Sequence, residues 1–251
     1  MNGRVVVFAG VANDVGLACA REFACQGAAV VVIDADRSTI EALRDGIRAG
    51  GGSACAIAAD PADAAAILAA AGECRAQFGG VDVLVTCPMA MELGTIEASA
   101  PESWQRIVAA NLLGPVFAAK AFLPLLRGRE GASVVHVGSV DGVLGNPQLP
   151  AYSASKGGIV ALTHVMAEEF AAYGIRVNCV ARAMAMERGA EPNPMFAPLL
   201  AHTPLGRPGY FDEIAAVVRF LASADASYVT GAVIPVDGGR TALTPGTRRP
   251  R

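Results

Sequence analysis

Tyr152 and Lys156 stand four residues apart in the run Tyr152-Ser153-Ala154-Ser155-Lys156, and Ser139 lies thirteen residues upstream. On a helix, residues four apart share one face, so this spacing sets an ammonium beside a phenol. A neighbouring positive charge favours the phenolate and draws the tyrosine pKa toward neutrality. A phenol tuned in that way can give a proton to a ketone or take one from an alcohol. Ser139 follows the apolar run 133–138, which reads as a buried strand. Ligands of open α/β sheets bind outside the carboxyl ends of strands, so the Ser139 hydroxyl is placed to hydrogen-bond a substrate oxygen beside Tyr152. A tyrosine and a lysine at this spacing also occur on solvated helix faces. The serine, the strand before it and a glycine-rich turn near the N-terminus favour chemistry here.

The elements that must position these groups follow from the apolar pattern. Residues 4–9 read as a buried strand, Gly10 to Gly16 as the turn after it, and 17–26 as a helix. A second strand, 28–33, ends at Asp34, twenty-four positions after Gly10. In such a βαβ unit glycine lets the backbone approach a pyrophosphate, the helix N-terminus attracts it, and a carboxylate holds ribose hydroxyls. Further strands are expected at 53–58, ending at Asp60-Pro61, and at 81–85, 175–181 and 233–236. Helices are expected at 62–78, 104–126, from Tyr152 to about 172, and at 213–222. Strands alternating with helices predict an α/β fold with a parallel, doubly wound sheet. No linker, charge block or tandem repeat divides it.

Composition narrows the function classes. The 251 residues are 53% hydrophobic and 17% charged, which suits a sheet buried on both faces. A net charge of −3 gives no basic surface for nucleic acid. No apolar run reaches membrane-spanning length, so no membrane partner is expected. Cys19, Cys25, Cys55, Cys74, Cys87 and Cys179 form no CxxC pair and read as reduced thiols of a cytoplasmic protein. The chain enters its first strand without a basic leader. His136, His164 and His202 lack ligand spacing, so no metal is predicted. Residues 1–240 are expected to form one domain, and 241–251 a loose basic tail.

Taken together, Gly10 and Gly16, Asp34, Asp60, Asn111, Ser139, Tyr152 and Lys156 resemble the short-chain dehydrogenase/reductase family. So do Ile175-Arg176-Val177-Asn178, Pro204-Leu205-Gly206-Arg207, Tyr228-Val229-Thr230-Gly231 and Val236-Asp237-Gly238-Gly239. The resemblance covers roughly residues 3–240. It implies a Rossmann-like domain with a seven-stranded parallel sheet, usually in a homotetramer. The implied activity is hydride transfer between a nicotinamide and an alcohol or carbonyl. Tyr152 would be the acid/base, Ser139 would position the substrate oxygen, and Lys156 would hold the nicotinamide ribose and lower the tyrosine pKa. The Asn111 backbone would anchor a proton relay. The implied cofactor site comprises Gly10, Asp14, Val15, Gly16, Asp34, Asp60, Pro61, Cys87, Tyr152, Lys156 and Ala185. Ser139, Tyr152 and Met184 would face substrate.

The chain departs from the family pattern on the cofactor side. Ala9 stands where threonine is usual, and Asp14 replaces the middle glycine of the loop. Thr86-Cys87-Pro88-Met89 replaces Asn-Asn-Ala-Gly, Arg182-Ala183 replaces Pro-Gly, and Met186-Glu187 lies where a threonine is common. These changes predict weakened but real NAD binding, although Asp14 with Asn13 also reads as a helix N-cap. Cys87 has no histidine beside it in sequence and reads as a small packed residue. Asp34 favours NAD over NADP, and Arg37 nearby could offset that preference. Met184, Met186, Met195, Phe196, Leu199 and Leu200 predict an apolar alcohol or ketone substrate of some bulk. They could instead pack on the underside of their own segment or against another subunit. Arg182 is the one charge there that could reach a carboxylate. The leading expectation is an NAD(H)-dependent alcohol/ketone oxidoreductase. The alternatives are a weakly binding or non-catalytic dinucleotide sensor or interaction protein and, behind it, an acyl-thioester ketoreductase.

Overall fold

The computed structural model describes residues 1–242, apart from the side chain of Met195. Residues 243–251, most of the expected tail, lie outside the described residues, as does Met195 as a lining side chain. The chain opens with β1 (Val5–Ala9), α1 (Asp14–Cys25), β2 (Ala29–Asp34), α2 (Arg37–Ala49), β3 (Ser53–Ala58), α3 (Ala64–Phe78) and β4 (Val83–Thr86). It continues through α4 (Pro101–Val108), a π-helical turn (Ala109–Leu113), α5 (Gly114–Leu126), β5 (Ser133–Ser139), α6 (Asp141–Leu144) and α7 (Pro150–Ala171). It ends with β6 (Arg176–Arg182), β7 (Ala185–Met186), α8 (Ala197–Ala201), β8 (Gly209–Tyr210), α9 (Phe211–Ala222) and β9 (Val233–Val236). The main sheet has seven strands in the order β3-β2-β1-β4-β5-β6-β9, every pair parallel. The α/β, Rossmann-like, seven-stranded expectation is therefore met.

The central strands are short apolar runs such as Val5-Val6-Val7-Phe8, with β1, β4 and β5 buried along their whole length because helices cover both faces, while the edge strands β3 and β9 are partly exposed. On one face Phe8, Val30 and Val32 pack with Phe23 of α1, Ile40 of α2 and Ile214 of α9. The Phe8 and Phe23 rings meet edge to face at 5.3 Å. On the other face Val7, Val31 and Val134 pack with Ile67 of α3, Phe122 of α5 and Phe170 of α7. Helix α2 has no counterpart in the sequence reading. Asp36 caps it by accepting from Thr39 N, and Ile40, Leu43 and Ile47 give it a narrow buried stripe.

Strand ends shift by one or two residues from expectation, as element boundaries commonly do. The expected helix 104–126 begins at Pro101 and contains the π turn. By length and composition this 26-residue stretch could cross a bilayer, which differs from the expectation drawn from sequence. Its Ala118, Phe122 and Leu126 are instead fully buried against the sheet.

Candidate active site

The proposed chemical groups meet at the carboxyl ends of β4, β5 and β6. Ser139 is the last residue of β5 and is buried; its Oγ accepts from Asp141 N at 3.1 Å, which leaves the hydroxyl proton to donate elsewhere. Helix α7 begins at Pro150, where a missing N–H costs nothing, and so delivers Tyr152 and Lys156 on successive turns. Both are buried, and Lys156 Nζ lies 5.7 Å from the centroid of the Tyr152 ring. Nζ donates to Pro88 O at 2.8 Å and to Val137 O at 3.1 Å. Burial, and secondarily the charge of Arg182, push the Lys156 pKa down to about 7.

Asn111 sits in the π turn with no exposed surface. Its Oδ1 accepts from Ala90 N at 2.9 Å, and its Nδ2 donates to Ala90 O at 2.7 Å and to Ser155 Oγ at 3.1 Å. Ser155 Oγ in turn donates to Tyr152 O at 2.7 Å. The side chain thus ties the segment after β4 to the first turns of α7. One wide turn in an otherwise α-helical run is a frequent feature of functional sites, and here it turns Asn111 into the core.

The cofactor-type residues gather at the carboxyl ends of β1 and β2, beside the gap between β1 and β4 where the chain's winding reverses. Gly10 has φ of 75°, and a Cβ there would lie 2.9 Å from Pro88 Cα, so the loop has room only for glycine. A Cβ at Gly16 would meet Val11 O at 2.5 Å. Asn13 Oδ1 accepts from Gly16 N at 3.1 Å, and Nδ2 donates to Gly10 O and Cys87 O. The N-cap of α1 is therefore Asn13 alone; Asp14, expected to share that role, is the first helical residue and is exposed. Asp34 Oδ2 accepts from Ala12 N at 2.9 Å and Oδ1 from Asp36 N at 3.1 Å. A cleft of about 200 Å³ is lined by Gly10, Ala12, Asn13, Asp34, Asp60 and Pro61, and is closed on the far side by Pro88, Met89 and Ala110. Asp60 Oδ1 accepts from Ala62 N at 2.8 Å, which shapes the turn before α3.

Other expected residues are more remote from that cleft. Val15 and Gly16 are buried beneath the loop. Cys87 holds the end of β4 through its backbone, donating from N to Ala9 O, while burial drives its thiol pKa well up. Such a thiol is a packed side chain and not a nucleophile. Ala185 pairs with Gly209 in a separate two-stranded ladder, and Met184 O accepts from Gly209 N. Met184, Met186, Phe196, Leu199 and Leu200 are each half-buried. Among the described residues no three His, Cys, Asp or Glu side chains come together as a metal set.

Three features escaped the sequence. Arg182, the last residue of β6, extends back over β5 until Nη2 meets Met89 Sδ at 2.6 Å. The carbonyl that anchors Lys156 comes from Pro88, within the departed segment. Thr86 Oγ1 and His136 Nδ1 are 2.7 Å apart between β4 and β5, while His136 Nε2 is buried without a partner. Burial and then Lys156 hold the His136 pKa down to about 4. Only the register Thr86↔His136 could have disclosed that pair.

A family model described as enoyl-(acyl carrier protein) reductase matches residues 10–241. Galactitol 2-dehydrogenase (L-tagatose-forming) of Cereibacter sphaeroides is 36% identical over 248 residues, covering 96% of this chain and 96% of that protein. Cis-4-hydroxycyclohexanecarboxylate dehydrogenase of Sinomonas cyclohexanicum is 35% identical over 249 residues, covering 96% and 97%. A crystal structure of a gluconate 5-dehydrogenase from Burkholderia cenocepacia J2315, in complex with NADP and tartrate, superposes with a TM-score of 0.91. It is 31% identical and covers 97% of each chain.

Proposed function

Since the chain belongs to the short-chain dehydrogenase/reductase family, we propose that it is an NAD(H)-dependent oxidoreductase interconverting a secondary alcohol and a ketone, with Tyr152 as acid/base. That the enzyme acts on CH–OH groups rests on its alcohol and polyol dehydrogenase relatives. The observation that carries the finer reading is the buried Lys156 amine beside the Tyr152 ring, with Ser139 at the neighbouring strand end.

The residues present fit a dinucleotide. Gly10 leaves a cradle that a Cβ would fill, Asp34 and Asp60 offer carboxylates, and the α1 N-terminus opens onto the same loop. When bound, the nicotinamide supplies or accepts the hydride. In the alcohol-oxidising direction Ser139 donates to the substrate oxygen and holds it. Tyr152, as phenolate, takes the hydroxyl proton while the carbon–hydrogen bond breaks. Lys156 steadies that phenolate and the nicotinamide ribose, and the backbone of Asn111 would anchor a water through which the proton leaves. The reverse direction protonates the ketone oxygen from the Tyr152 phenol.

Two observations support NAD over NADP. Asp34 would set a carboxylate at the ribose 2′ position, and Arg37 is turned away to Glu41 at 3.3 Å. NAD is expected to bind with the lower Kd; equal or tighter NADP binding overturns this. The gluconate 5-dehydrogenase neighbour holds NADP, so the comparison must be direct. The half-buried Met, Phe and Leu set after β6 favours a substrate with an apolar body, like the cyclohexane ring in the name of one relative. We further propose one domain over residues 1–240, a cytoplasmic location suited to six free cysteines, and a homotetramer, supported by exposed Leu113 and Val165 on its long helices.

The test is NADH formation with a panel of secondary alcohols, beside calorimetric titration of NAD. Turnover of none of them with NAD binding intact would replace this reading with a second one, a dinucleotide sensor or interaction protein. Arg182 and Met89 meeting across the site motivate that alternative. An acyl-thioester ketoreductase is disfavoured by Asp34, since such enzymes in the family typically use NADPH.

A further inference from the structure

Among the described residues Arg182 is a cation without an anion. It ends β6 directly opposite Ser139 in the ladder, and Arg182 O accepts from Val140 N at 3.0 Å. Its side chain crosses the carboxyl end of β5 to reach Met89, beyond β4, so the guanidinium lies over the same strand ends as Ser139 and Lys156. Its side chain donates to the Ala183 carbonyl, at 3.2 Å, and to the Met89 thioether. Among the described residues neither Arg182 nor Lys156 forms an ion pair, whereas Arg4, Arg129 and Arg207 each lie against a carboxylate or carbonyls on the outer surface. A carbonyl and a thioether use few of the guanidinium's five donors. The charge is also felt inside the site, where Arg182 is the chief charged neighbour lowering the Lys156 pKa.

Two basic groups at the same strand ends, neither in an ion pair among the described residues, call for a negative ligand. A planar guanidinium fork matches a carboxylate through two parallel hydrogen bonds. We propose that Arg182 binds a carboxylate of the substrate, so that the enzyme acts on secondary hydroxy-carboxylates and the matching keto-carboxylates. This rests on the reading of the site as an alcohol/ketone oxidoreductase and adds the substrate's second functional group. Ser139 and Tyr152 take the reacting oxygen, Arg182 takes the acid, and Met89 gives up its contact with the guanidinium when the acid arrives. The half-buried apolar side chains after β6 cover the carbon skeleton between the two ends.

A pyrophosphate could satisfy the same fork. The backbone of Arg182 is paired with Ser139, which favours the substrate, while its guanidinium meets Met89 at the edge of the dinucleotide cleft, so the binding arm below separates the two sources.

The experiment has a kinetic and a binding arm. Secondary hydroxy-carboxylates with alkyl or cyclohexyl bodies are compared with their methyl esters, using the parent, Arg182→Met and Arg182→Lys. The parent is expected to favour the acids in kcat/KM. Arg182→Met should lose on the order of tenfold to a hundredfold on the acids and little on the esters. Arg182→Lys keeps the charge without the fork and should fall between; it also serves if Arg182→Met does not fold. In the binding arm, cyclohexanecarboxylate and cyclohexanecarboxamide are titrated into the NADH-saturated protein. A preference for the acid that vanishes in Arg182→Met supports the proposal even if no alcohol is turned over, in which case the oxidoreductase reading alone fails. Esters used as well as acids by the parent, or no acid preference in binding, overturns it. So does an Arg182→Met variant that loses NADH affinity by the same factor as acid affinity, which would assign the guanidinium to the pyrophosphate.

Discussion

A buried lysine holds its proton less tightly than one on the surface, and Lys156 is in that position. The carbonyls of Pro88 and Val137 fix its amine beneath the Tyr152 ring, so its charge is delivered to one place. The types and spacing of Ser139, Tyr152 and Lys156 were readable because local helix geometry decides which side chains share a face. The partners of Lys156 were not, since one carbonyl lies in the segment after β4 and the other in β5, both well separated in sequence. Deleting only the phenolic oxygen tests the assignment. Tyr152→Phe is expected to lower kcat by ~10²–10⁴-fold, the usual contribution of a positioned acid/base. NAD affinity, read by titration, should survive. A variant within a few-fold of the parent rate would show that another group moves the proton.

At the scale of elements, the first βαβ unit was legible down to the acidic residue ending β2, because glycine, helix start and carboxylate each have a local cause. The π turn was not. The choice between an i→i+5 and an i→i+4 bond at Asn111 depends on what Ala90 and Ser155 offer its side chain. Helix α2 was missed although Ile40, Leu43 and Ile47 carry its period, because a single narrow stripe on a polar segment is a faint signal. Helix α1 bears on cofactor affinity. Its N-terminus attracts phosphate, yet Asp14 sets a carboxylate in its exposed first turn. Two like charges ~4 Å apart cost about 1 kcal/mol in water and about 4 at an effective dielectric of 20. Asp14→Gly is therefore expected to tighten NAD by roughly one to two decades. The gain should shrink as salt screens the repulsion. Because Asn13 makes the cap, the helix loses only a dipole interaction of roughly 0.3–1 kcal/mol and some backbone rigidity. NAD binding no tighter in Asp14→Gly than in the parent would clear Asp14 of blame and leave residues 86–89 and 182–183 to account for any weakness.

Over the whole molecule, the parallel sheet and its two helical layers were legible from the alternation of apolar runs, but the strands' lateral order is a long-range property. That order brings two bases into the core, His136 on β5 and Lys156 on α7, and both pKa values are depressed there. A group whose pKa is lower folded than unfolded makes the unfolded chain bind more protons, so stability rises with pH between the two values. For His136 the window runs from about 4 to the ordinary 6.5. For Lys156 it runs from about 7 to 10.5. The upper part of the second window is contested, because burial raises the thiol pKa of Cys19 to about 12 and of Cys179 to about 11 from 9.0. Above pH ~9 the unfolded chain would lose those protons first, and stability would fall. Denaturant midpoints of the protein without cofactor should therefore climb from pH 4 to 6.5 and again from 7 to about 8.5. One group gives a slope of at most about 1.4 kcal/mol per pH unit. Lys156→Met is expected to flatten the second rise and leave the first, and His136→Gln to do the reverse. Parallel curves for the parent and Lys156→Met between pH 7 and 8.5 would mean that the buried amine keeps its proton throughout, held by the carbonyls of Pro88 and Val137.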